Sequence, residues 1–413
     1  MNDQGDEARL RALTTRMRPG LSTFVFAVDS SPSGTPRRRL RRSIVRIGTV
    51  CVAGVLATSC GSHGRSITLD REIFFSDVNP RVDAIARTRD GGFVVTGVGV
   101  AAWVIATDSQ AKRLWQFNDA FDDKDPTISQ SVPQTEFRGA VPMANGNTLL
   151  CGGKYKSGGT DNLLAILDRK GRLIERRVEV PNDDPRFKYS NFYQCFPWRD
   201  GILLLGNAND GRLGYIWLVE LDGSGAKRRQ ALMDNVPAVA VDTVIGPSFV
   251  FTAWNSPDDF RVIRTNEKGE TIARRVIAGE FIVQLRSMAE SSQTSIIIYG
   301  AGRARLYTLD ERLQDAQPPR EITNFDVLAG CGYVLADASI ALFGRRPNAA
   351  VAWISGKDKT YIARTFDSKY ISSTVSDAVP LSADQFVTVR GGVGQDPKDQ
   401  GLVMSWVTIQ ERK

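Results

Sequence analysis

The chain has 413 residues, with 53 Lys and Arg against 46 Asp and Glu and a formal charge of +7. An apolar share of 42% supports a sizeable core and excludes global disorder. The charge does not describe the folded part: residues 1–60 hold ten of the basic and four of the acidic residues, leaving 43 against 42 beyond them. A near-neutral remainder has no long-range pull on polyanions, so no nucleic-acid partner is expected.

Residues 1–36 are acidic and then Ser-, Pro- and Gly-rich, unlike an export signal. A translation start further along would account for them, at Met17 or close to Leu40. From Arg37 the sequence RRRLRRSIVR leads into an apolar stretch, Ile47–Ala57, and then Thr58-Ser59-Cys60. A basic segment, a short apolar run and small residues before a cleavage point describe an export signal. The run falls short of the roughly 20 residues that span a bilayer. Thr58-Ser59-Cys60 resembles the bacterial lipobox, which implies that Cys60 is lipidated and becomes the mature N-terminus. Ala57 departs from the Leu usual in that pattern, and an uncleaved anchor or an ordinary signal peptide are the alternatives. Gly61 and Ser62 follow, without the Asp that retains such proteins at an inner membrane. The expected location is therefore the periplasmic face of the cell envelope, the outer membrane favoured. The layout is a disordered N-terminus with signal peptide over 1–60, a linker over 61–66, and a repeat domain over 67–413.

The repeats decide the fold. A turn followed by an apolar run ending near Gly recurs as TRDGGFVVTG, MANGNTLLCG, PWRDGILLLG, VIGPSFVFTAW, SSQTSIIIYG, LADASIALFG and LSADQFVTVRG, from Thr88 to Gly391. The spacing of about 45–55 residues is that of propeller blades. A second apolar run follows each, as in WVIATD from Trp103 and IWLVELDGSG from Ile216, most closing on Asp or Asn with Gly nearby. Such β-branched and aromatic runs between Asp/Gly turns are strands. RLIERRVEV from Arg172 reads as a charged outer strand. The final unit stops after its third strand, and ITLDREIFFS from Ile67 can supply the fourth. The expectation is an all-β, seven-bladed β-propeller closed by pairing the N-terminal strand with the last blade, with six or eight blades as alternatives.

The turn-aspartate and aromatic spacing of these runs resembles bacterial periplasmic β-propeller lipoproteins with quinoprotein-like or WD-like repeats. The resemblance covers Ile67 to the end and implies architecture, not activity. Quinone-dependent chemistry is not expected, because adjacent cysteines and a full tryptophan-docking pattern are missing.

The single histidine, His63, lies in the linker, which removes Ser-His-Asp, Cys-His and histidine–metal designs from the repeats. Asp119, Asp122, Asp123 and Asp125 crowd one loop, but their spacing fits no calcium loop and a solvated acidic loop is expected. No catalytic residue, metal site or cofactor is assigned. A carboxylate pair of the kind used on glycans cannot be recognised from one sequence. Of the three cysteines in the repeats, Cys151 and Cys195 fall in neighbouring units and are the easier disulfide; three buried thiols are the alternative. Trp103, Trp217, Trp353 and Trp406 recur on third strands and read as packing between units.

Loops joining second to third strands share a face with the connections between units and carry the binding expectation. The candidates are Lys154, Tyr155, Lys156, Asn209, Arg212, Trp254, Asn255, Arg345 and Arg346. Phe187 and Tyr189 join them from the aromatic connection DDPRFKYSNFYQCF. The functional expectation is a non-enzymatic, lipid-anchored scaffold for a protein partner, either an envelope assembly factor or a toxin-neutralising immunity protein. The alternative is an enzyme or sensor holding a glycan or small ligand in the central channel.

Overall fold

The computed structural model describes residues 65–411 apart from 100, 120–133, 157–158, 185–186, 188, 211–213, 236–240, 245–248, 255–259, 267, 280, 289–292, 301–302, 323–327, 347, 357–359, 366–369 and 395–398. The leader with Cys60, the loop residues Arg212 and Asn255, and Asp122, Asp123 and Asp125 lie outside the described residues.

After β1 (Arg65–Phe75) the strands follow in groups of four. Unit 1 is β2 (Arg81–Arg87), β3 (Phe93–Val98), β4 (Ala102–Thr107) and β5 (Arg113–Asn118). Unit 2 is β6 (Thr135–Pro142), β7 (Thr148–Lys156), β8 (Gly159–Leu167) and β9 (Leu173–Glu179). Unit 3 is β10 (Tyr189–Trp198), β11 (Gly201–Asn209), β12 (Gly214–Leu221) and β13 (Lys227–Asn235). Unit 4 is β14 (Val241–Val244), β15 (Phe249–Trp254), β16 (Phe260–Thr265) and β17 (Thr271–Ile277). Unit 5 is β18 (Phe281–Ser287), β19 (Thr294–Gly300), β20 (Arg303–Leu309) and β21 (Asp315–Ile322). Unit 6 is β22 (Leu328–Val334), β23 (Ile340–Arg346), β24 (Asn348–Ile354) and β25 (Tyr361–Thr365). The last group is β26 (Ile371–Pro380), β27 (Gln385–Val393) and β28 (Gln400–Glu411), and β1 completes it in the order β1-β28-β27-β26.

The described strands thus form seven antiparallel units of four. Their first strands touch in the order β2, β6, β10, β14, β18, β22, β26 and back to β2. The units therefore stand radially about an axis with first strands innermost, which is a β-propeller. β1 begins at Arg65, two residues inside the expected linker, because β28 runs on to Glu411 and offers Arg65 and Ser66 a partner.

Apolar side chains fill the wedges between neighbouring units. Phe137, Leu150 and Leu163 of unit 2 meet Val94 and Val104 of unit 1. Tyr333, Phe343 and Trp353 of unit 6 meet Phe386 and Val407 of unit 7. Each large side chain buried this way contributes about 1.5–3 kcal/mol. Trp103, Trp217 and Trp353 are buried, while Trp406 is only partly so.

The turns between third and fourth strands repeat one design. The side chain of Asp108, Asp168, Asp222, Asn266 or Asp310 accepts the backbone N–H groups two and four residues on. The residue three beyond, respectively Ala111, Gly171, Gly225, Gly269 and Leu313, takes positive φ. This is the turn chemistry that Asp, Asn and Gly supply.

Those turns are gripped by the preceding unit's outer strand. Arg275 of β17 donates to the Leu313 carbonyl at 3.1 Å, and Arg177 of β9 donates to the Gly225 carbonyl. Trp115 of β5 covers Gly171 and Met233 of β13 covers Gly269. Arg71 of β1 donates to the Gln110 carbonyl of unit 1, across the closure. Asp119, at the exit of unit 1, is buried against Arg176 of β9. A disulfide joins Cys151 of β7 to Cys195 of β10, with Cα atoms 6.2 Å apart. Cys331 is buried.

Where β1 closes the ring, Arg390 of β27 is fully buried and pairs with Glu72 of β1, which also accepts from Ser405 at 3.1 Å. Removing one partner of a buried pair leaves an uncompensated charge. Glu72→Ala is expected to destabilise the domain by about 3 kcal/mol, read as a lower urea midpoint at unchanged m-value.

Candidate functional site

The glycine that ends the second-strand repeats of units 1, 2 and 3 has a steric reason. A Cβ on Gly152 would lie 1.9 Å from the Glu136 carbonyl oxygen, and one on Gly206 would lie 2.5 Å from that of Asn191. Only a glycine lets the innermost strand approach this closely. At this level the inner strand slips by one residue. Val82 pairs with Gly97 but Ala84 pairs with Thr96; Phe137 pairs with Gly152 but Gly139 with Cys151; Phe192 pairs with Gly206 but Gln194 with Leu205. Unit 6 repeats the slip opposite Gly344. The extra residues are Asp83, Arg138 and Tyr193 in units 1, 2 and 3, and Gly330 in unit 6. A bulge re-aims the side chain it inserts, and here three successive inner strands insert a carboxyl, a guanidinium and a phenol at one level.

These three gather further polar groups. Arg138 Nε donates to Glu136 Oε1 at 2.7 Å, and its guanidinium lies 5.0 Å from the centre of the Tyr193 ring. Asn191 Nδ2 donates to the same Glu136 oxygen at 2.8 Å. Arg81 approaches Glu136 Oε2 at 3.8 Å, and Tyr155 hydrogen-bonds to Glu136. Asp83 Oδ2 and Asn191 Oδ1 are closed off from solvent without a hydrogen-bond partner in the structure. Buried acceptors of that kind are rare and call for a role.

The electrostatics separate two neighbouring carboxyls. Burial, followed by the nearby Glu136 charge, pushes Asp83 up to about 7 against the opposing pull of Arg81 and Arg138. Burial also pushes on Glu136, but Arg138 and the hydrogen bonds from Arg138, Asn191 and Tyr155 hold it below its ordinary value. Burial and then the Glu136 charge raise the Tyr155 phenol to about 12, and burial raises Tyr193. At neutral pH the site therefore holds an ionised Glu136, an Asp83 that titrates in that same range, two guanidinium groups and two neutral phenols.

Only part of the expected loop face comes together here. Lys154, Tyr155 and Lys156 belong to β7, not to a loop, because β7 and β8 pair out to Lys156 and Gly159. Tyr155 enters the cluster; Lys156 pairs with Asp161. Phe187 is half-buried edge-on to Tyr215, 5.8 Å between ring centres, so it fastens its connection to unit 3. The run read as one aromatic connection becomes strand from Tyr189 onward, and Phe192 and Tyr193 are inner-strand residues. Asn209, Trp254 and Arg346 sit at the ends of β11, β15 and β23, and Arg345 is exposed beside the last of these. Asp83, Glu136, Arg138 and Asn191 were not singled out, and Tyr193 drew notice only as one of the aromatics of that aromatic connection. Their signal is faint: polar residues inside otherwise apolar first strands, in RVDAIAR, TEFRGAVP and YSNFYQCFPW. Among the described residues no cluster of three or more His, Cys, Asp or Glu could hold a metal ion.

No protein-family profile matches the chain, and no curated protein matches it in sequence. Its fold is similar to that of virginiamycin B lyase from Staphylococcus aureus, at 9% identity over 83% of this chain and 99% of that one, with a TM-score of 0.54. It is also similar to the Dos1 propeller, at 10% identity over 83% and 95%, TM-score 0.53. A third is a PL25 ulvan lyase bound to -[GlcA(1-4)Rha3S]-, at 12% identity over 83% and 98%, TM-score 0.52. At such identities the likeness establishes the β-propeller and nothing finer.

Two outcomes follow from this geometry. Gly152→Ala drives a methyl group into the Glu136 carbonyl and is expected to cost about 2 kcal/mol or more in urea unfolding. Asp83 holds its proton in the folded state over a range where the unfolded chain, near 3.8, has lost it. Its contribution to stability therefore falls as pH rises from about 4 to 7 and is level above that. Asp83→Asn should raise the melting temperature relative to wild type by an increment that grows between pH 5 and pH 7 and then stays constant; a pH-independent difference would refute the assignment.

Proposed function

We propose that the axial site of units 1–3 binds a hydroxyl-rich small ligand of the saccharide class. The row Asp83–Arg138–Tyr193, set side by side by three equivalent bulges, carries the reading. The partly exposed guanidinium groups of Arg81 and Arg138 donate to ligand oxygens and the phenols of Tyr155 and Tyr193 donate and accept, while the buried Glu136 holds Arg138 in place. Because the site rests on paired strands, its groups are pre-positioned and little ordering opposes binding. Asp83 exchanges its proton near neutrality, the property that suits a general acid or base. The same site therefore serves a sensor or, with a reactive ligand, an enzyme. Following the leader sequence, the proposal places this domain on a lipid anchor at Cys60, in the cell envelope.

The test is a glycan array screened with the purified domain, followed by calorimetric titration of any hit. Wild type is expected to bind, and Arg138→Lys, which keeps a positive charge beside the buried Glu136, to weaken binding at least tenfold with the melting temperature kept within a few degrees. If no saccharide binds, a pull-down from detergent-solubilised envelopes decides for the loop face. A stoichiometric protein lost when Tyr155, Arg212, Trp254 and Arg345 are all changed to Ala would make the chain a protein scaffold instead.

A further inference from the structure

A second charged group crosses the ring deeper along the axis. Arg286 stands on β18, the innermost strand of unit 5, yet its Nη1 donates to Asp377 Oδ1 of β26 in unit 7 at 3.3 Å. It also donates to the Tyr333 hydroxyl of β22 in unit 6 at 3.2 Å. A side chain joining unit 5 to unit 7 past the inner strand of unit 6 has to run on the axial side of that strand. Its footing is buried and fixed. Tyr333 donates to the Ala378 carbonyl at 2.6 Å, and Asp377 accepts from the backbone N–H of Ala378 at 2.9 Å. Asp377 Oδ2 further accepts from the Ile85 N–H at 3.2 Å, two residues along β2 from Asp83. Against this footing Arg286 stays 39% exposed, while Asp377 is 11% exposed.

The depth follows from register. Arg286 pairs in parallel with Tyr333, three residues beyond the bulge at Gly330. At about 3.3 Å per residue, the backbone of Arg286 lies about 10 Å along the strands from the level of Asp83, Arg138 and Tyr193. A ligand entering past those three meets the exposed part of this guanidinium further along the axis.

We infer that Arg286 is the anion-recognising floor of the axial site, and that the ligand is an acidic saccharide whose carboxylate is directed at it. This rests on the reading that a saccharide enters at units 1–3. Arg matches a carboxylate as a fork, and a guanidinium held by Tyr333 and Asp377 is oriented before the ligand arrives.

Trigalacturonate and its methyl ester separate the two claims, because they share the sugar frame and differ at the carboxyl groups, which are charged in one and esterified in the other. Each is titrated into the full chain, into Arg286→Gln and into Arg286→Lys. Wild type is expected to prefer the acid at least tenfold over the ester. Arg286→Gln should lose that preference while binding the ester as wild type does, and Arg286→Lys should restore part of it. If Arg286→Gln binds the ester normally and still prefers the acid, the floor assignment is overturned and the saccharide reading stands. If wild type binds both forms equally, the acidic ligand class is overturned. If wild type binds neither, both readings fall for uronate chains. Should Arg286→Gln fail to fold, the Lys variant decides, since an acid preference unchanged from wild type would remove the need for a fork.

Discussion

Every unit of this fold is a wedge with two apolar faces, and each face has to meet a neighbour. The constraint can be satisfied for all units at once only if the first and last wedges meet, so the ring depends on β1 returning to β28. That pairing runs from Arg65 with Glu411 to Phe75 with Leu402, with one slip between Leu69 and Arg71. It places Glu72 over the buried Arg390 and Asp70 against Thr408. β1 then does what other outer strands do, reaching forward through Arg71 to the turn of unit 1, while Arg364 of β25 reaches forward to the Ile67 carbonyl at 2.7 Å. Closure thus uses the same forward grip that joins units elsewhere on the rim.

With the rim held by these grips, the inner strands are free to depart from regular pairing. The slips opposite Gly97, Gly152 and Gly206 leave one residue per strand outside the ladder. Such irregularity is tolerable where flanking strands and a neighbouring unit fix the chain, and the Cys151–Cys195 bond adds a covalent fix between two of the units concerned. Gly139 belongs to this arrangement: a Cβ there would lie 2.8 Å from the Cys195 sulfur, so the bulge, the disulfide and the glycine occupy one tightly filled volume. The polar cluster above is a product of packing below it.

The sequence displayed the architecture well because its signals are local. Asp and Gly in tight turns, apolar runs between them, and an unpaired Leu-Asp-Arg-Glu strand ahead of the repeats all report on neighbours within a few residues. The polar site was poorly legible for the converse reason. Glu136, Asn191 and Asp83 lie on three strands far apart in the chain, and only register brings them together. The repeat glycines were visible as strand-end residues, but nothing local indicates that each faces a bulge. Loop residues such as Tyr155 and Phe187 attracted notice through composition. The first belongs to the cluster by way of a strand longer than the turn residues suggested, and the second serves to fasten its connection.

Strand β1 also dictates an order of events in time. Ser66 and the Gln410 carbonyl are 344 positions apart along the chain. Bringing such distant segments together costs about 5 kcal/mol of chain entropy before any contact compensates. Seating β1 on β28 is favoured once the units between have formed and brought the two ends together. Folding of so non-local a fold is slow, and until β1 arrives β28 presents an open edge bearing Val403, Trp406 and Val407. The vulnerable species is a nearly complete ring with one strand waiting.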